Sequence, residues 1–254
     1  MPHEQRRPRR ERWDEVSGRP VRSVEAGWER TQGPLVVIVP GLGALGYLVD
    51  TVDACAGWAR TVLLDVPGFG HRGPGACAPE VPAIAETVSA WLTRVTEVPV
   101  VLMGHSTGAQ AALHVAAAHP DRVAALALLG PTFPPEQRVL AGAAQGFVRN
   151  FLHEPPSLVP ATVPDYLRGG PRAIARFVRS AQHDEPERTI TGVRCPVLLA
   201  RGQHDAFVPR VWLDRLTAAA PDGRSTTVPG AHTFPFRRGQ LTADLIASAA
   251  ALRR

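Results

Sequence analysis

The sequence predicts an α/β fold, with a mostly parallel central sheet, helices on both faces and an inserted helical segment. Three observations carry this reading. Short apolar runs, such as 35–39 (Leu-Val-Val-Ile-Val) and 123–129 (Val-Ala-Ala-Leu-Ala-Leu-Leu), are continuous rather than alternating. A strand reads that way when both of its faces are buried. These runs alternate with helical patterns, the order expected of parallel strands joined by crossover helices. Finally, about sixty residues, 133–193, separate two successive strands. A single crossover helix needs far fewer.

Taken in order, residues 1–19 read as a basic, solvated and mobile tail, with Arg6, Arg7, Arg9, Arg10 and Arg12 close together. Residues 20–29 read as a short leading hairpin. The strand 35–39 ends at Pro40-Gly41-Leu42-Gly43, and the strand 61–65 ends at Pro67-Gly68-Phe69-Gly70. Residues 81–95 form an amphipathic helix, with Ile84, Val88, Trp91, Leu92 and Val95 on one face. A β-branched run then stops at 104–108, and a helix follows over 109–119. Further strands are expected at 123–129, 196–200 and 225–228, and a closing helix at 241–252. The domain reading is therefore a core of 20–132 and 194–254, with 133–193 inserted as a helical cap. Helical patterns at 137–152 and 172–182 in the insertion are split by prolines, among them Pro155, Pro156, Pro164 and Pro171.

The chain has 254 residues, enough for one domain with a sizeable core. Its 44% apolar and 20% charged content is that of an ordinary globular protein. No apolar run is long enough to span a bilayer, and no apolar stretch follows the basic N-terminus as a secretory leader requires. The expectation is a cytoplasmic protein without a membrane partner. The net charge of +5 is carried by scattered arginines, and the chain has no lysine, so no nucleic-acid partner is expected. Cys55, Cys77 and Cys195 are odd in number and far apart, and suggest neither a disulfide framework nor a metal site.

The chemistry concentrates at Gly104-His105-Ser106-Thr107-Gly108. This is a G-x-S-x-G pattern between a strand and a helix, the context in which a serine hydroxyl is lifted above a sheet edge. The competing reading is a glycine-rich turn whose serine caps the helix. A serine hydroxyl is a weak nucleophile and needs a base, a group orienting that base, and donors for a developing oxyanion. Asp205 lies just beyond the strand 196–200 and His232 just beyond the strand 225–228. In open α/β sheets, sites form at such carboxyl ends. His105 and Asp65 are the fallback base and acid, and His71 is either a pocket residue or a loop residue. Gly41 to Gly46 also matches G-x-G-x-x-G, with Asp65 where a dinucleotide fold would want an acid. A nucleotide fold explains neither the serine turn nor Asp205 nor His232, so no cofactor is expected.

From residue 35 onward the sequence resembles the α/β-hydrolase superfamily. The resemblance rests on five phrases in order: Val-Pro-Gly-Leu-Gly at 39–43, Asp-Val-Pro-Gly-Phe-Gly-His at 65–71, the serine turn, Gly-Gln-His-Asp-x-x-Val-Pro at 202–209, and Gly-Ala-His at 230–232. The resemblance implies a Ser106–His232–Asp205 triad under a helical cap, with Ser106 as nucleophile, His232 as base and Asp205 as the group orienting it. It also implies an oxyanion hole from the amides of Thr107 and Leu42. Many members carry His-Gly before the oxyanion residue, whereas this chain has Pro40-Gly41. The implied activity is that of a serine hydrolase forming an acyl-enzyme from an ester-like or related carbonyl substrate of small to medium apolar character. A carbon–carbon bond hydrolase or lyase, an acyltransferase and a small-molecule receptor on the same fold are the alternatives. Phe133, Phe147, Phe151, Phe177, Phe207 and Phe234 are the candidate pocket residues.

Overall fold

The computed structural model describes residues 8–252. Eight strands form one sheet: β1 (Arg9–Val16), β2 (Arg19–Ala26), β3 (Leu35–Val39), β4 (Arg60–Leu64), β5 (Val100–His105), β6 (Val123–Leu129), β7 (Val197–Gly202) and β8 (Gly223–Val228). Their order is β1-β2-β4-β3-β5-β6-β7-β8. β3 to β8 run parallel, while β1 and β2 add antiparallel strands at one edge.

The continuous apolar runs follow from the period-2 geometry of a strand. Val37 and Val39 pack with α2 (Val81–Val95) and α3 (Thr107–Ala118), whereas Val36 and Ile38 pack with α1 (Val49–Cys55) and α8 (Gly239–Ala251). Leu102 joins the first core and Val101 and Met103 the second. Each fully buried side chain of this size contributes about 1.5–3 kcal/mol. α7 (Arg210–Ala219) covers the first face beside β7 and β8.

The N-terminus differs from the sequence expectation. Arg9 onward is not a solvated tail but strand β1, and β2 is one strand rather than a hairpin. Residues 1–7 lie outside the described residues. Ser17 and Gly18, with φ of +52° and +75°, make the two-residue turn joining β1 to β2, the backbone that fits the twist of a hairpin. Charge pairing removes the reason for the arm to stay solvated. Glu25 of β2 is fully buried and accepts hydrogen bonds from Arg10 at 2.9 Å and Arg60 at 3.1 Å. Arg12 pairs with Asp14 at 2.7 Å, and Asp14 also accepts from the Trp91 indole at 2.9 Å.

Between β6 and β7 the chain runs through α4 (Leu140–Phe151), α5 (Val159–His183) and α6 (Pro186–Thr189). α5 is broken at Gly170, with φ +78° and ψ 159°, immediately before Pro171. Its two halves serve different contacts. In the first half, Asp165 accepts from the Leu45 amide at 2.8 Å, which ties α5 to the loop after β3. In the second half, Phe177 is fully buried and joins the core cluster under α2 and α3. Among the described residues, no helix is long and apolar enough to cross a membrane.

Candidate active site

β5 ends at His105, and α3 begins at Thr107, so Ser106 alone makes the turn. Its backbone is at φ 56° and ψ −125°, a conformation that costs on the order of 1–3 kcal/mol and must be held by its surroundings. The flanking glycines hold it. A Cβ at Gly104 would lie 2.3 Å from the Gly108 carbonyl oxygen, and one at Gly108 would lie 2.4 Å from the Val39 carbonyl oxygen. The first collision is within the turn. The second is against the neighbouring strand β3, which is why both positions exclude a side chain.

The two distant candidates converge on this serine. His232 Nε2 is 2.9 Å from Ser106 Oγ, and His232 Nδ1 is 3.0 Å from Asp205 Oδ2. A carboxylate only accepts, so Nδ1 carries the proton and Nε2 presents its lone pair to the serine hydroxyl. Asp205 Oδ1 accepts the amides of Phe207 at 2.9 Å and Val208 at 3.1 Å, which fixes the carboxylate. Ser106, Asp205 and His232 are all more than nine-tenths buried. Burial pushes the His232 imidazole down. The Asp205 charge, its hydrogen bond and the Glu154 charge outweigh burial, so the pKa stands above its ordinary value.

Both ring nitrogens of His105 are engaged away from Ser106. Its Nε2 lies 3.0 Å from the His232 carbonyl oxygen and therefore donates to it. Its Nδ1 then accepts from the Tyr47 hydroxyl at 2.8 Å, and that hydroxyl accepts the Gly41 amide at 2.8 Å. Burial, then the neighbouring His232 charge, lowers the His105 pKa to about 3, so the ring stays neutral. One chain of hydrogen bonds thus joins the loop after β3 to the His232 loop. Tyr47 has no motif around it and escaped the sequence reading.

The two residues expected to donate their amides are in contact. Leu42, at φ 46° and ψ 24°, donates its N–H to the Thr107 hydroxyl at 2.9 Å. Thr107 is the first residue of α3, so its own amide belongs to the free N–H groups of a helix start. Asp65 is elsewhere engaged. Its carboxylate takes the Gly70 amide at 2.9 Å, Arg22 at 3.1 Å and His71 at 3.1 Å, anchoring the loop after β4 to the N-terminal hairpin. His71 packs edge-on against Trp13 and does not line the cavity.

A cavity of about 420 Å³ opens above Ser106. Four of the six candidate aromatics line it: Phe133, Phe147, Phe151 and Phe207. Phe207 is central, edge-on to His232 at 4.9 Å, to Phe147 at 4.8 Å and to Phe133 at 5.6 Å. Phe151 is 76% exposed and sits at the rim. Phe177 and Phe234 do not line the cavity. Phe177 fastens the insertion to the core, and Phe234 packs beneath the site, edge-on to His105 at 6.4 Å. Both follow the general tendency of a large apolar side chain to be core. Sequence reasoning missed Asn150 and Glu154, which line the cavity from the insertion together with Tyr166. Among the described residues no group of three or more His, Cys, Asp or Glu side chains is placed to hold a metal ion.

A family model for the α/β-hydrolase fold matches residues 34–159. The chain belongs to the α/β-hydrolase superfamily. It is 25% identical over 201 residues to the pimeloyl-[acyl-carrier protein] methyl ester esterase of Neisseria meningitidis, a match covering 68% of this chain and 76% of that one. It is 35% identical over 116 residues to the dihydrolipoyllysine-residue acetyltransferase component of an acetoin cleaving system from Pseudomonas putida. That match covers 45% of this chain and only 31% of the longer relative. Among solved structures, an E-2-(acetamidomethylene)succinate hydrolase superposes with a TM-score of 0.77, at 19% identity, over 96% of this chain and 100% of that one. This last likeness concerns the fold. Matching relatives thus include esterases and other hydrolases of one superfamily.

Proposed function

We propose that this protein is a serine hydrolase that acts through an acyl-enzyme on ester-like carbonyl substrates with a small to medium, mainly apolar acyl group. The observation that carries the proposal is the 2.9 Å contact between His232 Nε2 and Ser106 Oγ, made on a strained turn at the floor of an apolar cavity. In this reading Ser106, His232 and Asp205 are a catalytic triad, and 133–193 is the cap that roofs the acyl site.

Ser106 Oγ attacks the carbonyl carbon as His232 Nε2 takes its proton. The imidazolium so formed is stabilised by Asp205 and returns the proton to the departing alcohol oxygen. Water then attacks the acyl-serine by the same route, delivering its proton through His232 back to Ser106 and releasing the acid. The amides of Leu42 and Thr107 stabilise the oxyanion, each such donor being worth about 3–4 kcal/mol of barrier. The Thr107 hydroxyl oxygen sits on the Leu42 N–H at 2.9 Å, so it occupies a position close to where an oxyanion would bind. Rotation of that hydroxyl frees the amide for the reaction.

A fluorophosphonate probe tests the reading. Labelling of the native protein, lost in Ser106→Ala and strongly reduced in His232→Ala, is the expected result. No labelling, together with no turnover of short-chain aryl esters, would sink the hydrolase reading and favour a receptor. Aryl ester turnover whose acyl group passes mainly to an added alcohol or thiol rather than to water would favour an acyltransferase.

A further inference from the structure

The cavity above Ser106 has a charge pattern that restricts what can enter it. Among the described residues lining it, none is arginine, and the chain contains no lysine. Its two histidines are committed: His105 is neutral within its hydrogen-bond chain, and His232 is paired with Asp205. Among the described residues, the one carboxylate that lines the cavity is Glu154, just beyond α4. Glu154 is held by the Thr233 amide at 2.7 Å and the Thr233 hydroxyl at 2.8 Å. Both bonds use Oε1, so Oε2 remains available to a ligand donor.

One helical turn earlier, Asn150 lines the same cavity and is 4% exposed. Its Oδ1 accepts the Ala206 amide at 3.0 Å, which fixes the orientation of the side-chain amide. Its Nδ2 is buried without a partner, and so is the hydroxyl of Thr132, which also lines the cavity. Both atoms are covered by protein, so a ligand oxygen meets them only after the groups over them shift; it then recovers the cost of a buried donor without an acceptor.

We propose that this cavity takes a neutral acyl group carrying an uncharged oxygen, with Asn150 donating to that oxygen and Glu154 turning carboxylate-bearing esters away. The substrate class is assigned to the acyl-transfer site proposed above and rests on that reading. The physical reasons are separate for the two residues. A carboxylate in this cavity would leave water without an unpaired cation to meet it and would lie near a second carboxylate. An ether, ester or ketone oxygen pays no such charge penalty and satisfies Asn150 Nδ2. Glu154 Oε2 adds an acceptor for a hydroxyl on the same chain.

Three aryl esters separate the terms in steady-state kinetics: p-nitrophenyl hexanoate, the mono-p-nitrophenyl ester of adipic acid, and the methyl ester of the latter. The native protein is expected to favour the methyl adipate ester over the free carboxylate by about 100-fold or more in kcat/KM. Glu154→Gln is expected to shrink that ratio about tenfold, since one like charge is removed. Asn150→Asp keeps the acceptor for Ala206 and removes the donor, and is expected to erase the advantage of methyl adipate over hexanoate. Calorimetric binding of dimethyl adipate and monomethyl adipate to Ser106→Ala reads the same preference without chemistry. Comparable turnover of charged and neutral esters overturns the assignment and leaves the hydrolase reading standing. No turnover of any ester, with the neutral preference kept in Ser106→Ala, overturns the hydrolase reading and leaves the cavity assignment. Equal binding of both adipates overturns the assignment outright.

Discussion

Replacing Tyr47 by phenylalanine removes one oxygen atom and tests how the site is held together. The Tyr47 hydroxyl accepts the Gly41 amide and donates to His105 Nδ1, both at 2.8 Å. Tyr47 is 3% exposed and His105 2% exposed, so water does not readily replace the hydroxyl. The ring stays, so no apolar packing is lost. Two buried polar groups lose their partner, at about 1–3 kcal/mol each, which sums to roughly 2–6 kcal/mol. For a domain of this size one kcal/mol is about 2–4 °C in Tm. Differential scanning calorimetry is therefore expected to show a fall of about 4–24 °C. The same chain fixes Gly41 beside Leu42 and, through His105, the carbonyl of His232. Loosening it shifts a donor and the base relative to Ser106, so kcat on an aryl ester falls about tenfold, or roughly 1.4 kcal/mol of barrier. KM changes little, because the apolar wall is intact. A Tm within about 2 °C of the native protein, with kcat unchanged, would refute the positioning role of this chain.

The remaining predictions concern the acid, the base and the loops. kcat/KM is expected to rise with pH along a limb centred above about 6.5, because in the proposed mechanism His232 acts as a neutral base and its pKa is raised; a limb centred below that value contradicts the assignment. The same raised pKa favours the protonated folded form, so it adds stability below about pH 6.5 that fades as pH rises through the folded value. Asp205→Asn is expected to cut kcat about 10⁴-fold by favouring the wrong imidazole tautomer, whereas Asp65→Asn leaves kcat within a few-fold and costs about 2–3 kcal/mol of stability in urea unfolding. The reverse pattern would make Asp65 the triad acid. Thr107→Val frees the Leu42 amide without changing side-chain volume, so kcat/KM stays within a few-fold; a 100-fold loss would show that the hydroxyl itself serves the oxyanion.

Much of this protein is legible locally. Strands buried on both faces leave continuous apolar runs, so β3, β5 and β6 stand where the sequence places them, within a residue or two. The serine turn is legible because two glycines and a strand-to-helix change leave a local mark. Asp205 and His232 are legible because each follows a strand end in the expected order. The charge pairing of β1 is not legible, since Arg10 meets Glu25 across a hairpin and Arg60 reaches it from a third strand. A local reading sees only a run of like charges.

The sequence by itself determined the sheet, the serine turn and the order of Ser106, Asp205 and His232 beyond their strand ends, because each is set by short-range periodicity or by backbone sterics within a few residues. Tertiary structure alone decided which aromatics line the cavity, since Phe151 and Phe177 are the same residue type and differ only in what packs against them. It also decided that Tyr47 and His105 bind two loops together, and that Asn150 and Glu154 stand over Ser106. Those contacts join positions tens of residues apart. Their partners are selected by how the insertion folds back onto the core, a choice that no local pattern records.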